Sequence, residues 1–311
     1  MNQRKMRGLT LKKKSFVVIV IGMIIISLSA LSMIAYDVLL TRKSEKYISE
    51  YREMIGTFGL RRELDYSWAS NDTYIAHAMG GIDGKSYTNS LEAFEKSYEE
   101  GLRVFETDIH LTDEGVPVLY HDKDSYASMV GKTGSPHIKY EEFKSTLLYN
   151  KYHTLDMQEI IGLLNQYRDI YIVIDWGAMS ISETSYIYSG IVNYGKKYED
   201  VLDRIIPEIV DEAMYEATMK CYPWKSYTLS YYVDRWDSVE EAIDFCNRLG
   251  IKIVDLPVDE CTKDNIKPWI DAGIHVSAYT VNDVGVKNKL KSIGVDGYYT
   301  DSLNPKDVIY K

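Results

Sequence analysis

From Thr73 onward, short runs rich in β-branched and aromatic residues recur at a spacing that leaves room for a helix after most of them. The runs are 73–78, 103–109, 116–121, 171–176, 204–210, 226–232, 251–257, 275–281 and 297–300. Helical patterns lie between most of them. One opens at Asn89-Ser90 and closes at Gly101; others cover 155–167, 186–202, 238–249 and 262–272, with Gly250 and Gly273 ending the last two. Strands that alternate with helices must lie parallel, because each helix carries the chain back to the starting edge. Over a stretch of this length the best fit is an α/β fold, a (β/α)8 TIM barrel. The runs outnumber the eight places by one. The pair 103–109 and 116–121 is joined only by Thr112-Asp113-Glu114-Gly115, without a helix, and does not fit a regular barrel.

The N-terminus sets a second constraint. Ser15 to Tyr36 carries no charge, and Phe16 to Ala35 is apolar apart from Ser27, Ser29 and Ser32. About 20 such residues make a helix long enough to cross ~30 Å of hydrocarbon. Arg4, Lys5, Arg7, Lys12, Lys13 and Lys14 precede this run with no acidic residue among them. That bias keeps the N-terminus cytoplasmic and places the body outside. The expected organisation is a basic cytoplasmic tail (1–15), a single transmembrane anchor (16–36), a juxtamembrane stalk (37–72) and a barrel domain (73–311), at the cell membrane with the barrel domain extracellular. A cleaved signal peptide is the competing reading; Ser27-Leu28-Ser29-Ala30 offers a weak cleavage site, but apolar sequence continues past it. In the stalk, Tyr47, Ile48, Tyr51, Met54, Ile55 and Phe58 recur at helical spacing, which suits either the bilayer surface or packing on the body. Cys221, Cys246 and Cys261 match no zinc spacing and cannot all pair.

Charge narrows the partners. The chain carries 36 basic and 46 acidic residues, and because six of the basic ones lie before the anchor, the body is more acidic than the overall −10. Such a body does not suit nucleic acid, and it does suit a cation. Ionisable residues gather at the C-terminal ends of the strand-like runs: His77, Glu106, Asp108, His121 and Asp175. In a barrel the active site is built at that end. Strand alternation puts Val104, Glu106 and Asp108 on one face and Phe105, Thr107 and Ile109 on the other. The apolar set suits the helix layer, so the acidic set points into the barrel mouth. Two buried like charges cost several kcal/mol unless compensated. One divalent cation, Mg2+ or Ca2+, compensates them with hard oxygen ligands, and Asp175 can supply a third carboxylate. The competing reading is an ion pair with Arg103. His77 and His121 add two imidazoles, one to take a proton and one to give it. His110, His137, His153 and His275 have no comparable setting.

The segments Ile75-Ala76-His77, Thr88-Asn89-Ser90-Leu91-Glu92-Ala93-Phe94, Glu106-Thr107-Asp108, and Leu111 to Val118 leading to His121-Asp122, resemble the glycerophosphodiester phosphodiesterase family. So do Tyr279-Thr280-Val281-Asn282 and Thr300-Asp301. The resemblance runs from about 73 to 304. It implies a (β/α)8 barrel that hydrolyses glycerophosphodiesters with a divalent metal, held by Glu106 and Asp108, with Asp175 aligned to the third acidic ligand. His77 and His121 align with the two family histidines, and Asn89, Trp176 and Tyr279 fall at substrate-contact positions. The chain departs from the family pattern at five points. Ala78 stands where the phosphate-gripping arginine is expected, Asp175 where the third acid is usually glutamate, Gly177 where a lysine follows that acid, Tyr279 where a tryptophan is usual, and Thr88 where a glutamate precedes the asparagine. Metal and imidazolium, or Lys85 or Lys123, must then meet the phosphate charge.

Two functions follow. The first is a metal-dependent phosphodiester hydrolase acting on glycerophosphodiesters or on related polyol-phosphate or phospholipid head groups outside the membrane. The reading leans to His121 as base and His77 as acid, with the direction left open. The second is a non-catalytic binding or scaffold domain on the same barrel, suggested by the missing arginine and lysine and by 27 tyrosines able to line a polyol surface. The sequence is silent on oligomeric state.

Overall fold

The computed structural model describes residues 3–55, 63–134, 136–175 and 180–308. Its strands are β1 (Thr73–Ala76), β2 (Val104–Leu111), β3 (Pro117–Leu119), β4 (Leu147–Leu148), β5 (Tyr152–His153), β6 (Tyr171–Asp175), β7 (Ile205–Ile209), β8 (Thr228–Ser230), β9 (Ile253–Pro257), β10 (His275–Tyr279) and β11 (Gly297–Thr300). Eight of them pair in parallel in the order β1-β2-β6-β7-β8-β9-β10-β11, and β1 also pairs with β11, so the ring closes. The fold is a TIM barrel. The surplus run of the sequence is β3. It pairs antiparallel to the overshooting end of β2, with Ile109 opposite Leu119 and Leu111 opposite Pro117, outside the ring. Gly115, at a φ of +75°, lets the connecting turn close back on Thr112.

The helices are α1 (Gln3–Ile55), α2 (Leu91–Glu99), α3 (Lys123–Met129), α4 (Tyr140–Ser145), α5 (Met157–Gln166), α6 (Ile181–Gly195), α7 (Glu212–Cys221), α8 (Val239–Leu249), α9 (Lys263–Asp271) and α10 (Val284–Ile293). The sequence pattern does not single out α3, α4, α7 or α10. Three of these begin at an aspartate cap (Asp122, Asp211 and Asp283) whose carboxylate accepts from first-turn amides. The helix expected at 186–202 starts earlier, at a capping box of Ser180 and Glu183.

Apolar side chains form two clusters. Phe105, Ile109, Ile172 and Ile174 belong to the large core between strands and helices. Ile75, Val104, Val173, Ile206 and Tyr299 form a smaller cluster, the inner layer of the barrel. This is the alternation read along 103–109, and it sends Glu106 and Asp108 inward above Val104.

Helix α1 runs unbroken from Gln3 to Ile55, through the expected anchor and into the first part of the expected stalk. Its apolar portion is long enough to cross a membrane. Beyond Tyr36 it packs on α6: Leu40 is fully buried, the Ser44 hydroxyl donates to the Ser185 carbonyl at 3.1 Å, and Tyr47 stacks on Tyr186 at 6.5 Å. The helical periodicity at Tyr47 and Ile48 therefore reflects packing on the body; Phe58 lies outside the described residues. At the opposite end of the barrel from the strand C-termini, Trp68 packs on Tyr171 and on the inner cluster, and Asp72 binds the buried ammonium of Lys287 at 2.5 Å.

Candidate active site

The mouth of the barrel, at the strand C-termini, is a cleft of about 240 Å3. It brings together His77, Glu106, Asp108, His121, Asp175 and Tyr279, contributed by β1, β2, β3, β6 and β10 or the turns that follow them. Trp176 lies outside the described residues.

The acids meet because of register. Glu106 and Asp108 are inward neighbours on β2, and Asp108 stands opposite Asp175 on β6. One oxygen from each of Glu106, Asp108 and Asp175 lies within 4.8 Å of the others. Burial, then the charges of Asp108 and Asp175, push the Glu106 carboxyl well above its ordinary range. Burial and Asp108 push Asp175 up to about 7. One Glu106 oxygen accepts from the Ala78 amide at 2.7 Å; the other is buried without a hydrogen-bond partner. Arg103 does not relieve this charge, since its guanidinium binds Asp169 at 2.6 Å. Three convergent carboxylates, one with an orphaned oxygen, and no lysine or arginine among the described residues that line the cleft, fit a divalent cation.

Each histidine is backed by a carboxylate. His77 Nδ1 is 3.0 Å from Asp301 Oδ1, just past β11. Asn282 grips Asp301 twice: its amide nitrogen donates to Oδ2, and its carbonyl oxygen accepts from the Asp301 backbone, both at 2.7 Å. His121 Nδ1 is 2.7 Å from Asp122 Oδ2, and Asp122 also accepts from the Ser125 hydroxyl at 2.6 Å. Burial disfavours charge on His121, but Asp108 and Asp122 outweigh it and raise its pKa. The two imidazoles are 6.4 Å apart and nearly perpendicular, and the Tyr87 ring lies 5.0 Å from one and 4.4 Å from the other. Neither ring has an Nε2 hydrogen bond among the described residues, so both Nε2 atoms can exchange protons with a group in the cleft.

Asn89 is fully buried at a φ of +46°. Its amide nitrogen donates to Asp108 at 2.8 Å, and its oxygen accepts from the Thr107 hydroxyl at 2.7 Å. It holds Asp108 from behind and is not among the lining residues. Lys85 sits over the Tyr149 ring at 4.8 Å, in a neighbouring groove. Lys123, the first residue of α3, is not among the residues lining the cleft either. Ala78 and Met79 carry positive φ angles, and the Ala78 side chain is buried where the arginine of the family pattern is expected.

Tyr87, Glu208, Ser230, Tyr232 and Tyr299, which the sequence does not single out, also line the cleft, as does Thr280 of the motif at 279–282. Asp255 is not singled out either; it is fully buried beside Thr228, Tyr299 and Ser277, its carboxyl pushed up to about 7, chiefly by burial. Glu208 and Asp255 carry the same signal as Glu106 and Asp108, an acid near the end of an apolar strand. Asp301 was visible only as part of a motif.

A barrel whose mouth joins a carboxylate cluster to two carboxylate-backed imidazoles is of the hydrolase class that cleaves phosphodiesters. The profile of the glycerophosphoryl diester phosphodiesterase family matches residues 81–304, and the chain belongs to that family of enzymes. No curated protein sequence matches the chain. Among solved structures, it is similar to a glycerophosphodiester phosphodiesterase from Parabacteroides distasonis (21% identity, 75% of this chain and 94% of that one, TM-score 0.59). It is also similar to an Oleispira antarctica phosphodiesterase in complex with the product sn-glycerol-3-phosphate (19%, 76% and 94%, TM-score 0.60). A third is the glycerophosphodiester phosphodiesterase of Thermotoga maritima (21%, 75% and 95%, TM-score 0.56). At these identities the structural likeness speaks to the fold.

Proposed function

We propose that the protein is a membrane-anchored, divalent-cation-dependent hydrolase of glycerophosphodiesters or related head groups, with α1 crossing the membrane, its N-terminus cytoplasmic and the barrel outside. The observation that carries the reading is the placement of His77 and His121, each backed by a carboxylate, across one cleft from Glu106, Asp108 and Asp175. Those three acids would hold the cation, Mg2+ or Ca2+, which when bound supplies positive charge for the phosphate oxygens. The imidazoles do the proton work: one Nε2 takes the proton of the attacking hydroxyl or water, the other delivers one to the leaving alcohol. Asp301 and Asp122 fix the ring orientations and favour the tautomer with the proton on Nδ1. Asn89 is a positioning residue for Asp108. Tyr279 and Tyr87 bound the space left for the alcohol.

The test is turnover of glycerophosphodiesters by the full chain, with and without chelator. His77→Ala and His121→Ala are each expected to lose roughly 10²–10⁴-fold in kcat. Wild-type rates in both variants, or full activity in excess chelator, would reject the mechanism. The absence of lysine and arginine among the described lining residues favours a second reading, a binding domain without turnover. It predicts ligand-dependent stabilisation with no product formed.

A further inference from the structure

The docking of α1 on α6 fixes which end of the barrel approaches the membrane. Helix α6 starts shortly after Asp175, at the catalytic end, and runs to the opposite end, where Glu199 and Asp200 meet Arg168 ahead of β6. Helix α1 lies alongside in the same direction. Asp37 accepts from the Ser182 hydroxyl, Ser44 donates to Ser185, Tyr47 stacks on Tyr186, and Glu50 reaches Lys196 at 4.0 Å. Asp37 is the first charge after the apolar span. The point where α1 leaves the hydrocarbon is therefore level with the start of α6 and hence with the catalytic mouth. Had the two helices run antiparallel, the mouth would have pointed away from the bilayer.

The rim agrees with this placement. Ile181, beside the Asp37 contact, is 48% exposed; Tyr232, which lines the cleft, is 44% exposed, and Val233 next to it is 75% exposed. Apolar side chains at the rim suit the head-group boundary.

We propose that the catalytic mouth faces the bilayer that α1 spans, so that the substrate is the phosphodiester head group of a lipid in the adjoining leaflet. This rests on the anchored-hydrolase reading above. The rigid α1–α6 contact then acts as a spacer that keeps the cleft at head-group level.

The test uses the full chain in phosphatidylcholine vesicles. A fluorophore is attached at Val233→Cys, on the rim, or at Met219→Cys, exposed near the far end of α7. The three native cysteines are buried. Brominated lipid is expected to quench the Val233 probe at least threefold more than the Met219 probe. Equal quenching, or the reverse order, would overturn the orientation. Release of the chain by an alkaline wash would overturn the anchor, and this proposal with it. In a second arm, lysophosphatidylcholine in the vesicle is expected to be cleaved at least tenfold more efficiently than glycerophosphocholine in solution. Leu40→Asp, which undocks α1, should reduce lipid turnover several-fold and leave soluble turnover unchanged. Cleavage of the soluble diester alone would overturn the lipid substrate while the hydrolase reading stands; cleavage of neither would overturn the hydrolase reading, with the orientation still decided by quenching.

Discussion

At the scale of single residues, the site depends on side chains that hold other side chains. Asp301, which backs His77, is gripped by Asn282, and Gly81 donates its amide to the Asp301 carbonyl at 2.7 Å. A Cβ on Gly81 would stand 2.4 Å from that carbonyl oxygen. Gly81→Ala is expected to force the two segments apart, cost about 1–3 kcal/mol measured by denaturant unfolding, and lower kcat. Retention of both stability and kcat would show that the contact is dispensable. Asp301→Asn tests positioning alone: kcat should fall, by less than the loss of the imidazole itself, with KM little changed. On the other side, Asp122→Asn should lower the His121 pKa in an NMR titration, because it removes one of the negative groups that raise it. The sequence exposes the two histidines and the acids through their place at strand ends. It does not expose Asn89 as a support for Asp108, because that role requires a buried left-handed backbone that brings its amide behind the strand.

At the scale of elements, β3 and α1 depart most from a regular pattern. β3 reads as a barrel strand by composition, but a four-residue turn cannot carry the chain back for parallel pairing, so it pairs antiparallel with β2 outside the ring. That excursion carries His121 to the mouth beside Asp108. Helix α1 reads as anchor plus stalk, and the structure continues it as one helix onto α6. Leu40 sits at that contact, 1% exposed. Burying a leucine contributes about 1.5–3 kcal/mol. Leu40→Asp should therefore speed amide hydrogen exchange in α6 without altering exchange in β2 or β6. Unchanged protection in α6 would mean that the packing adds nothing to its order.

At the scale of the whole molecule, the barrel interior stores unfavourable charge. Glu106, Asp175, Glu208 and Asp255 all have carboxyls raised chiefly by burial, Asp175 and Asp255 to about 7. In the unfolded chain these groups titrate near ~4. Their protonated forms support folding fully below that value, and the support is lost as pH rises through about 7. The chelated protein should therefore melt at a lower temperature at pH 8 than at pH 5.5. Added Mg2+ or Ca2+ should raise the melting temperature more at pH 8, because the ligands must be deprotonated to bind. A melting temperature independent of pH and of cation would contradict this account of the acids. The sequence by itself determined the barrel class, the inward face of β2, the apolar helix and the two imidazoles, because strand alternation, helix length and strand-end position are local properties. Only the tertiary structure decided that Glu208 and Asp255 lie beneath the same mouth, that Asp301 backs His77 from the far end of the chain, and that α1 runs parallel to α6. Ring closure and helix docking set those relations, and both join residues that no local pattern connects.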